Sequence, residues 1–155
     1  MSSKLVAPLL IGLVPGLAAC GSSAPASHSS SSGAHHSRPP ARIYRIALTD
    51  TGERPHGAPG GTGAAVIAIH GSSVVCWRFA HLRGFLKATA AHIHLGVSGK
   101  SGRVVVPLST GRQLRHRGCT RASASVITAI EQHPERYYVN VHSLQYPAGA
   151  VRAQL

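Results

Sequence analysis

From Ile43 to the C-terminus, the chain alternates short apolar runs with turns that contain Gly or Pro. Apolar runs of this length, bounded by turn-forming residues, are typical of β-strands. Many short strands separated by tight turns predict an all-β sandwich or barrel. Residues 57–63 are predicted to be a loop because Gly and Pro dominate them. The predicted strands cover residues 42–49, 63–70, 74–81, 90–96, 103–108, 136–143 and 149–154.

One segment departs from the strand pattern. Val126, Ile127 and Ile130 share one face of a helix, because they lie three and four residues apart. Ser123 or Ser125 is a candidate N-cap, and the proline at 134 ends the pattern. We therefore expect one short helix over residues 123–133, packed on an edge or end of the sandwich.

The charge balance limits the chemistry available to this chain. Its 155 residues include 16 Lys and Arg but only 4 Asp and Glu, which gives a formal net charge of +12. A chain of this length has room for one domain of ordinary size. Mechanisms that need paired carboxylates are disfavoured because the chain has so few acidic residues. No Gly-x-Ser-x-Gly nucleophile motif is present either. The composition therefore argues against an enzyme.

Two histidines lie two residues apart in the predicted strand at 90–96. His92 and His94 share one face of that strand, whereas Ile93 and Leu95 share the other. If this strand pairs with the strand at 136–143, His142 joins them on an outer patch, with Ile93, Leu95, Val139 and Val141 facing the core. Three imidazoles in one place can bind copper or zinc.

Two interpretations of this histidine cluster remain open. The three side chains form either a metal site or a structural hydrogen-bond network in which Asn140 or Tyr138 takes part. His70 and His81 end neighbouring strands and are further candidate ligands.

The nearby Gly99-Lys100-Ser101 spells the end of a phosphate-binding loop. A true loop of that kind needs a glycine five residues before its final glycine, and that position holds His94. It also needs a helix directly after it, and here a strand is predicted. We expect a tight β-hairpin turn.

The N-terminus resembles that of a bacterial lipoprotein. Lys4 precedes an apolar run at 5–16, and the run leads to Leu-Ala-Ala-Cys-Gly at 17–21. A membrane-spanning helix needs about 20 apolar residues, so this run is too short. The resemblance to a lipobox implies a signal peptide over residues 1–19, lipid on Cys20, and anchoring at the outer face of the cell membrane. An ordinary secretory signal that contains a cysteine is the alternative.

Residues 20–41 are rich in Ser, Ala, Gly and His and are predicted to be a flexible tether. The domain would then occupy residues 42–155. Two cysteines remain, Cys76 and Cys119, and an even number in an exported protein suggests a disulfide. Two separate buried thiols are the alternative.

A basic run follows the predicted strand at 103–108. It contains Arg112, Arg115, Arg117 and Arg121 and is either an anion-binding patch or a solvated loop. Outside the cell, its partners would be anionic envelope polymers, lipid head groups or another protein. Nucleic acid is not expected, because no aromatic residues that could stack on bases are interleaved with the arginines.

Several segments together resemble one protein family. They are AAHIHLGVSGKSGRVVVPL at 90–108, the later Gly-Cys, and HPERYYVNVHSLQYPAGAVRAQL at 133–155. The chain from Ile43 onward is similar to the CHRD domain, named from chordin and found in bacterial secreted proteins. This resemblance implies an immunoglobulin-like or dismutase-like Greek-key β-sandwich, and a disulfide between Cys76 and Cys119. It implies little about activity.

We therefore expect an envelope-anchored, non-enzymatic binding module of unknown ligand. The first alternative is a copper or zinc protein that uses His92, His94 and His142. The dismutase zinc site needs further histidines and an aspartate in the loop that follows. Here Asp50 is the chain's sole Asp, so dismutase catalysis is not expected.

Overall fold

The computed structural model describes residues 40–155. This part of the chain is all-β with one short α-helix, which confirms the predicted fold class. The elements are β1 (Arg42–Thr49), β2 (Thr62–His70), β3 (Val74–Arg83), β4 (Ala88–Leu95), β5 (Val104–Ser109), β6 (Arg117–Arg121), α1 (Ala124–Gln132), a 3₁₀ turn (Pro134–Arg136), β7 (Tyr137–Ser143) and β8 (Val151–Gln154).

The strands form one antiparallel sheet in the order β5-β4-β7-β8-β1-β2-β3-β6. Its two end strands, β5 and β6, contact each other, so the sheet curls around its apolar face. Strands β1 and β8 pair only at Thr49 and Arg152. The sheet therefore has two four-stranded halves that are joined by a single residue pair. These halves correspond to the two layers of a sandwich. We call β5-β4-β7-β8 the histidine half and β1-β2-β3-β6 the disulfide half.

The core lies on the concave side of this sheet. The predicted inward residues Ile93, Val139 and Val141 are fully buried, and Leu95 packs against them. The disulfide half contributes Ile67, Trp77 and other apolar residues from the opposite side. Because side chains alternate along a strand, placing these residues inward places the histidines on the outer face of the histidine half.

Helix α1 forms where the sequence predicts it. The Ser123 hydroxyl caps it by accepting a hydrogen bond from the Val126 N–H at 3.3 Å. Ile127 and Ile130 are buried in the common core. The helix ends at Gln132, and Pro134 opens the 3₁₀ turn that leads into β7.

Strand β6 is a correction to the sequence analysis, which predicted no strand within the basic run. Its five residues pair with β3, and Cys76 lies directly opposite Cys119. The disulfide between these two cysteines is present, as predicted. The strand was missed because it carries no apolar alternation, so its pairing depends on the neighbouring strand.

The predicted signal peptide at 1–19, the lipidation site Cys20 and nearly all of the predicted tether lie outside the described residues. Within residues 40–155, no helix is long and apolar enough to cross a membrane.

Candidate metal site

The outer face of the histidine half carries two rows of polar side chains. Strand pairing puts His92 opposite Asn140, and Asn140 opposite Arg152. In the next row, His94 lies opposite Tyr138, which in turn lies opposite Gln154. Residues paired in this way lie side by side on one face of a sheet. The strand register therefore builds this face from β7 and β8, which are consecutive in the chain, and from β4, which is distant in sequence.

The structure brings His92, His94 and His142 together. One ring nitrogen of each lies within 4.8 Å of the corresponding nitrogens of the other two. The His92 Nδ1 and His142 Nε2 atoms are 3.0 Å apart. Two nitrogens bound to a tetrahedral zinc ion at about 2.0–2.1 Å are about 3.3 Å apart. Small side-chain movements would therefore allow all three rings to bind one ion.

Backbone carbonyls determine which ring nitrogens carry protons. The Nδ1 atom of His94 lies 2.8 Å from the Gly102 carbonyl, and that of His142 lies 2.9 Å from the Pro147 carbonyl. A carbonyl oxygen only accepts hydrogen bonds, so each Nδ1 donates its proton and each neutral ring keeps a lone pair on Nε2. This is the usual way in which outer-shell groups orient a metal-binding histidine.

The Nε2 atom of His94 has no hydrogen-bond partner within residues 40–155, although it is buried. Leaving a buried polar atom unpaired costs about 1–3 kcal/mol. His142 Nε2, in contrast, accepts from His92 Nδ1, since its own Nδ1 proton is used by Pro147. A metal ion would bind the unpaired His94 Nε2. It would also take the place of the proton that His92 Nδ1 and His142 Nε2 share.

The histidine face is more covered than the sequence analysis predicted. The three histidines lie on the outer face of the sheet, yet His94 is only 8 % exposed. Its ring stacks on Tyr138 with centroids 4.7 Å apart, and the Arg152 guanidinium lies 3.5 Å from the Tyr138 ring centre. Such cation–π contacts are favourable where the cation is shielded from water.

The hairpin between β4 and β5 completes this cover. Arg152 donates hydrogen bonds to the carbonyls of Lys100 and Val97. The Gly102 N–H donates to the Tyr138 hydroxyl. The Gly-Lys-Ser segment is therefore a hairpin turn, as predicted, and it also holds the rings around His94 in place.

All three histidines favour the neutral form. Burial, together with His142 and His94, lowers the pKa of His92 to about 4. Burial also lowers the pKa of His94. The Gly102 carbonyl and Asn140 oppose this lowering, whereas the charge of Arg152 adds to it. The pKa of His142 is lowered by burial and by His94, against the Pro147 carbonyl. Neutral imidazoles are the form that binds metal, so protons compete weakly here.

Glu53 is a buried acid that the sequence analysis did not identify. It is 2 % exposed, and burial raises its pKa to about 7, although Arg152, the Arg54 backbone and Asn140 favour its charged form. Its carboxyl group packs against Gly149, where a Cβ atom would collide with it. No local pattern indicates this contact, because Glu53 lies in the β1–β2 loop, far in sequence from β7 and β8. The alternation in β8, by contrast, could have placed Arg152 on the histidine face.

The other predicted site residues are dispersed. Among the described residues, the ligand cluster contains neither His70 nor His81. Arg115 lies over the Trp77 ring at 5.6 Å, and its carbonyl accepts a hydrogen bond from the Trp77 indole N–H. Arg117 and Arg121 lie on β6. The predicted basic patch is therefore divided among three places: the Trp77 ring for Arg115, β6 for Arg117 and Arg121, and a separate cleft for Arg112.

Arg112 lines a cleft beside the histidines. This cleft has a volume of about 370 Å³ and is formed by the start of β4, the β5–β6 connection and the end of β7. His92 and His142 also line it, whereas His94 does not. The cluster is thus reached from the cleft through His92 and His142, with His94 behind them.

Comparison with known proteins gives one match. The family model of the CHRD domain matches residues 44–155, which covers the described strands from β1 to β8. No curated protein and no solved structure shows significant similarity to the chain.

Proposed function

This chain belongs to the CHRD domain family, and we propose that its domain is a non-enzymatic binding module of the bacterial cell envelope that binds a transition-metal ion through His92, His94 and His142. The observation that carries this proposal is the convergence of three neutral imidazoles, one of them with a buried, unpaired Nε2. A purely structural network would be expected to pair that atom.

The donor set narrows the choice of metal. All three ligands are imidazole nitrogens, which suit copper and zinc, whereas calcium and magnesium prefer oxygen. Sites of this kind generally bind Cu²⁺ more tightly than Zn²⁺. We therefore favour copper, with zinc as the second choice.

Calorimetric titration with Cu(II), Cu(I) and Zn(II) tests this function. The full chain is used in detergent, with His28, His35 and His36 of the tether changed to Gln so that they do not bind metal. We expect a one-to-one complex with a Kd below about 1 µM, equivalent to about 8 kcal/mol. His94→Ala and His142→Ala should each weaken it at least tenfold, whereas the control His70→Ala should not.

Weaker binding than this, or equal binding by the folded histidine variants and the control, would refute the metal site. Circular dichroism of each variant establishes that it is folded.

The envelope location depends on the N-terminal motif. Residues 17–21 resemble a lipobox, and Cys20 would carry the lipid. Cys20→Ser should therefore release the protein from the cell membrane into the medium. Persistent membrane association of this variant would contradict the anchor and leave the metal proposal unaffected.

A cationic surface favours a second binding function. Arg78 on β3 lies directly opposite Arg117 on β6, and Arg45 on β1 lies in the same row beyond Val66. Arg121 lies on the same face, four residues from Arg117. These four arginines are exposed, and in the described part of the chain none of them forms an ion pair. Like charges placed directly opposite each other destabilise a sheet, so an anionic partner would relieve this repulsion.

A linear phosphate-bearing polymer fits this surface better than a membrane does. Ile43 is the one large apolar side chain that this face exposes among the described residues, so there is little to insert into lipid. Arginine binds phosphate through paired hydrogen bonds, and adjacent strands space these groups about 4.8 Å apart. The proposed partner is therefore an anionic polymer of the envelope.

Inorganic polyphosphate is a suitable probe for this surface. The double variant Arg78→Gln/Arg117→Gln should bind it at least tenfold more weakly than the wild type. Arg103→Gln/Arg136→Gln has the same net charge but changes arginines outside this face. Equal losses in both variants would show that net charge alone attracts the polymer, and would refute a specific surface.

A further inference from the structure

The cleft beside the histidine cluster has an unusual charge environment. Its walls contain the guanidinium of Arg112 but no carboxylate. Arg112 is exposed and forms no hydrogen bond or ion pair with any other described residue. A free cation at the entrance of a cation-binding site repels the ion unless a negative charge lies between them.

The three histidines do not supply that negative charge. They are neutral ligands, so a bound divalent ion would keep its full charge of +2 in a partly buried place. The buried acid on this face, Glu53, lies beside Arg152 and Asn140 and not in the cleft. Burying an uncompensated charge is costly, so the loaded site needs an anion.

Coordination leaves room for this anion. Three protein ligands on copper or zinc leave at least one position open to an exogenous group. His92 and His142 line the cleft, whereas His94 lies behind them. The open position would therefore face the cleft, on the same side as Arg112.

The cleft also has an apolar side. Leu144, Pro147 and Ala90 contribute to its walls, and Leu144 is 63 % exposed. Its volume of about 370 Å³ lies within the range of small-molecule sites, about 300–1,000 Å³. A bare inorganic ion would leave most of this space to water.

We propose that the cleft binds a small organic carboxylate, whose carboxylate group completes the coordination of the metal ion and pairs with Arg112 while its apolar part contacts Leu144. This inference rests on the proposed metal site. It assigns to Arg112 a role in ligand binding that is separate from metal binding.

Benzoate is the probe, and the Cu(II)-loaded full chain with the tether histidines replaced is the sample. Benzoate should shift the visible absorption band of the bound copper and bind with a measurable heat. Arg112→Gln should weaken benzoate binding at least tenfold, because it removes the charge-assisted hydrogen bond to the carboxylate. The control Arg136→Gln lies in the 3₁₀ turn, does not line the cleft and should not change benzoate binding.

Three comparisons make the outcome decisive. Failure of the protein to bind copper overturns both the proposed function and this inference. Copper binding without a benzoate-dependent spectral shift, or equal benzoate affinity in Arg112→Gln and Arg136→Gln, overturns this inference alone. Acetate should bind more weakly than benzoate, and equal affinities would refute the apolar contact.

Discussion

The two halves of the sheet use their outer faces in opposite ways. In the histidine half, loops cover the outer face, and Asn140, Arg152 and Tyr138 are each at most 3 % exposed. In the disulfide half, the outer face is open and carries arginines among small residues, with a covalent bond between β3 and β6. Buried polar groups are normally hydrogen-bonded, but on this face Glu53 Oε1, His94 Nε2 and Asn140 Oδ1 have no partner among the described residues. Of these three atoms, His94 Nε2 belongs to the histidine cluster, which supports a binding role for it.

This difference indicates that one half contributes mainly to stability and the other mainly to binding. The disulfide half supplies stability through a cross-link and an apolar inner face, without buried polar groups on its outer side. The outer face of the histidine half buries the Arg152 guanidinium and an unpaired imidazole nitrogen, and the β1–β2 loop that covers it adds the buried Glu53 carboxyl group; each of these costs free energy. Three experiments test this difference between the two halves.

Removing the disulfide should give the largest effect. The double variant Cys76→Ala/Cys119→Ala frees a loop with a sequence separation of 43 residues. The chain-entropy model predicts a loss of about 4 kcal/mol in the free energy of unfolding. Urea denaturation measures this loss. The folded variant should retain its zinc affinity, and a loss of that affinity would show that the two halves do not act separately.

The buried carboxyl group should give the next largest effect, through pH. The pKa of Glu53 rises from 4.5 to about 7 on folding, so the native state holds its proton more tightly than the unfolded state. The native protein therefore loses stability as pH rises from about 4.5 to 7, by up to about 3 kcal/mol. Glu53→Gln does not titrate and escapes this loss.

Urea denaturation of both proteins between pH 4.5 and 7.5 tests this expectation. The free energy of unfolding of Glu53→Gln minus that of the wild type should increase with pH. The lowered pKa of His92 acts in the opposite direction, since it removes stability as pH falls from 6.5 towards 4. Both proteins share that contribution, so the subtraction cancels it. A difference that is constant with pH would contradict the raised pKa.

The smallest expected effect concerns the ring that holds His94. Tyr138→Leu removes the stacking on His94 and the contact with Arg152. Loss of an outer-shell partner typically weakens metal binding 10–100-fold, and we expect about tenfold for zinc by calorimetry. Tyr44→Leu makes the same change in the disulfide half. Equal zinc affinities in the two folded variants would show that the stack does not position the ligand.

Several features could be predicted because they depend on neighbours in sequence. The alternation in β4 and β7 placed Ile93, Val139 and Val141 inward and the histidines on the other face. The Ser123 cap and the apolar positions Ile127 and Ile130 located α1 within about a residue at each end. The period of a strand or helix is a local property, so these assignments need no knowledge of the rest of the fold.

Other features depended on contacts between distant segments. The basic run looked like one patch, but pairing of β6 with β3 put Arg117 opposite Arg78, while Arg112 reached the cleft and Arg115 reached Trp77. Partners as distant as these have no local signature, because register and loop packing are set by the whole core.

Local sequence patterns were therefore enough to predict seven of the eight strands, the helix and the placement of the three histidines on one face. The burial of His94, the position of Glu53 beside Arg152 and the position of Arg112 beside the histidines follow from contacts between distant segments of the folded chain. The physical reason is that alternation fixes the direction of a side chain, whereas burial and electrostatic environment depend on what the folded chain places above it.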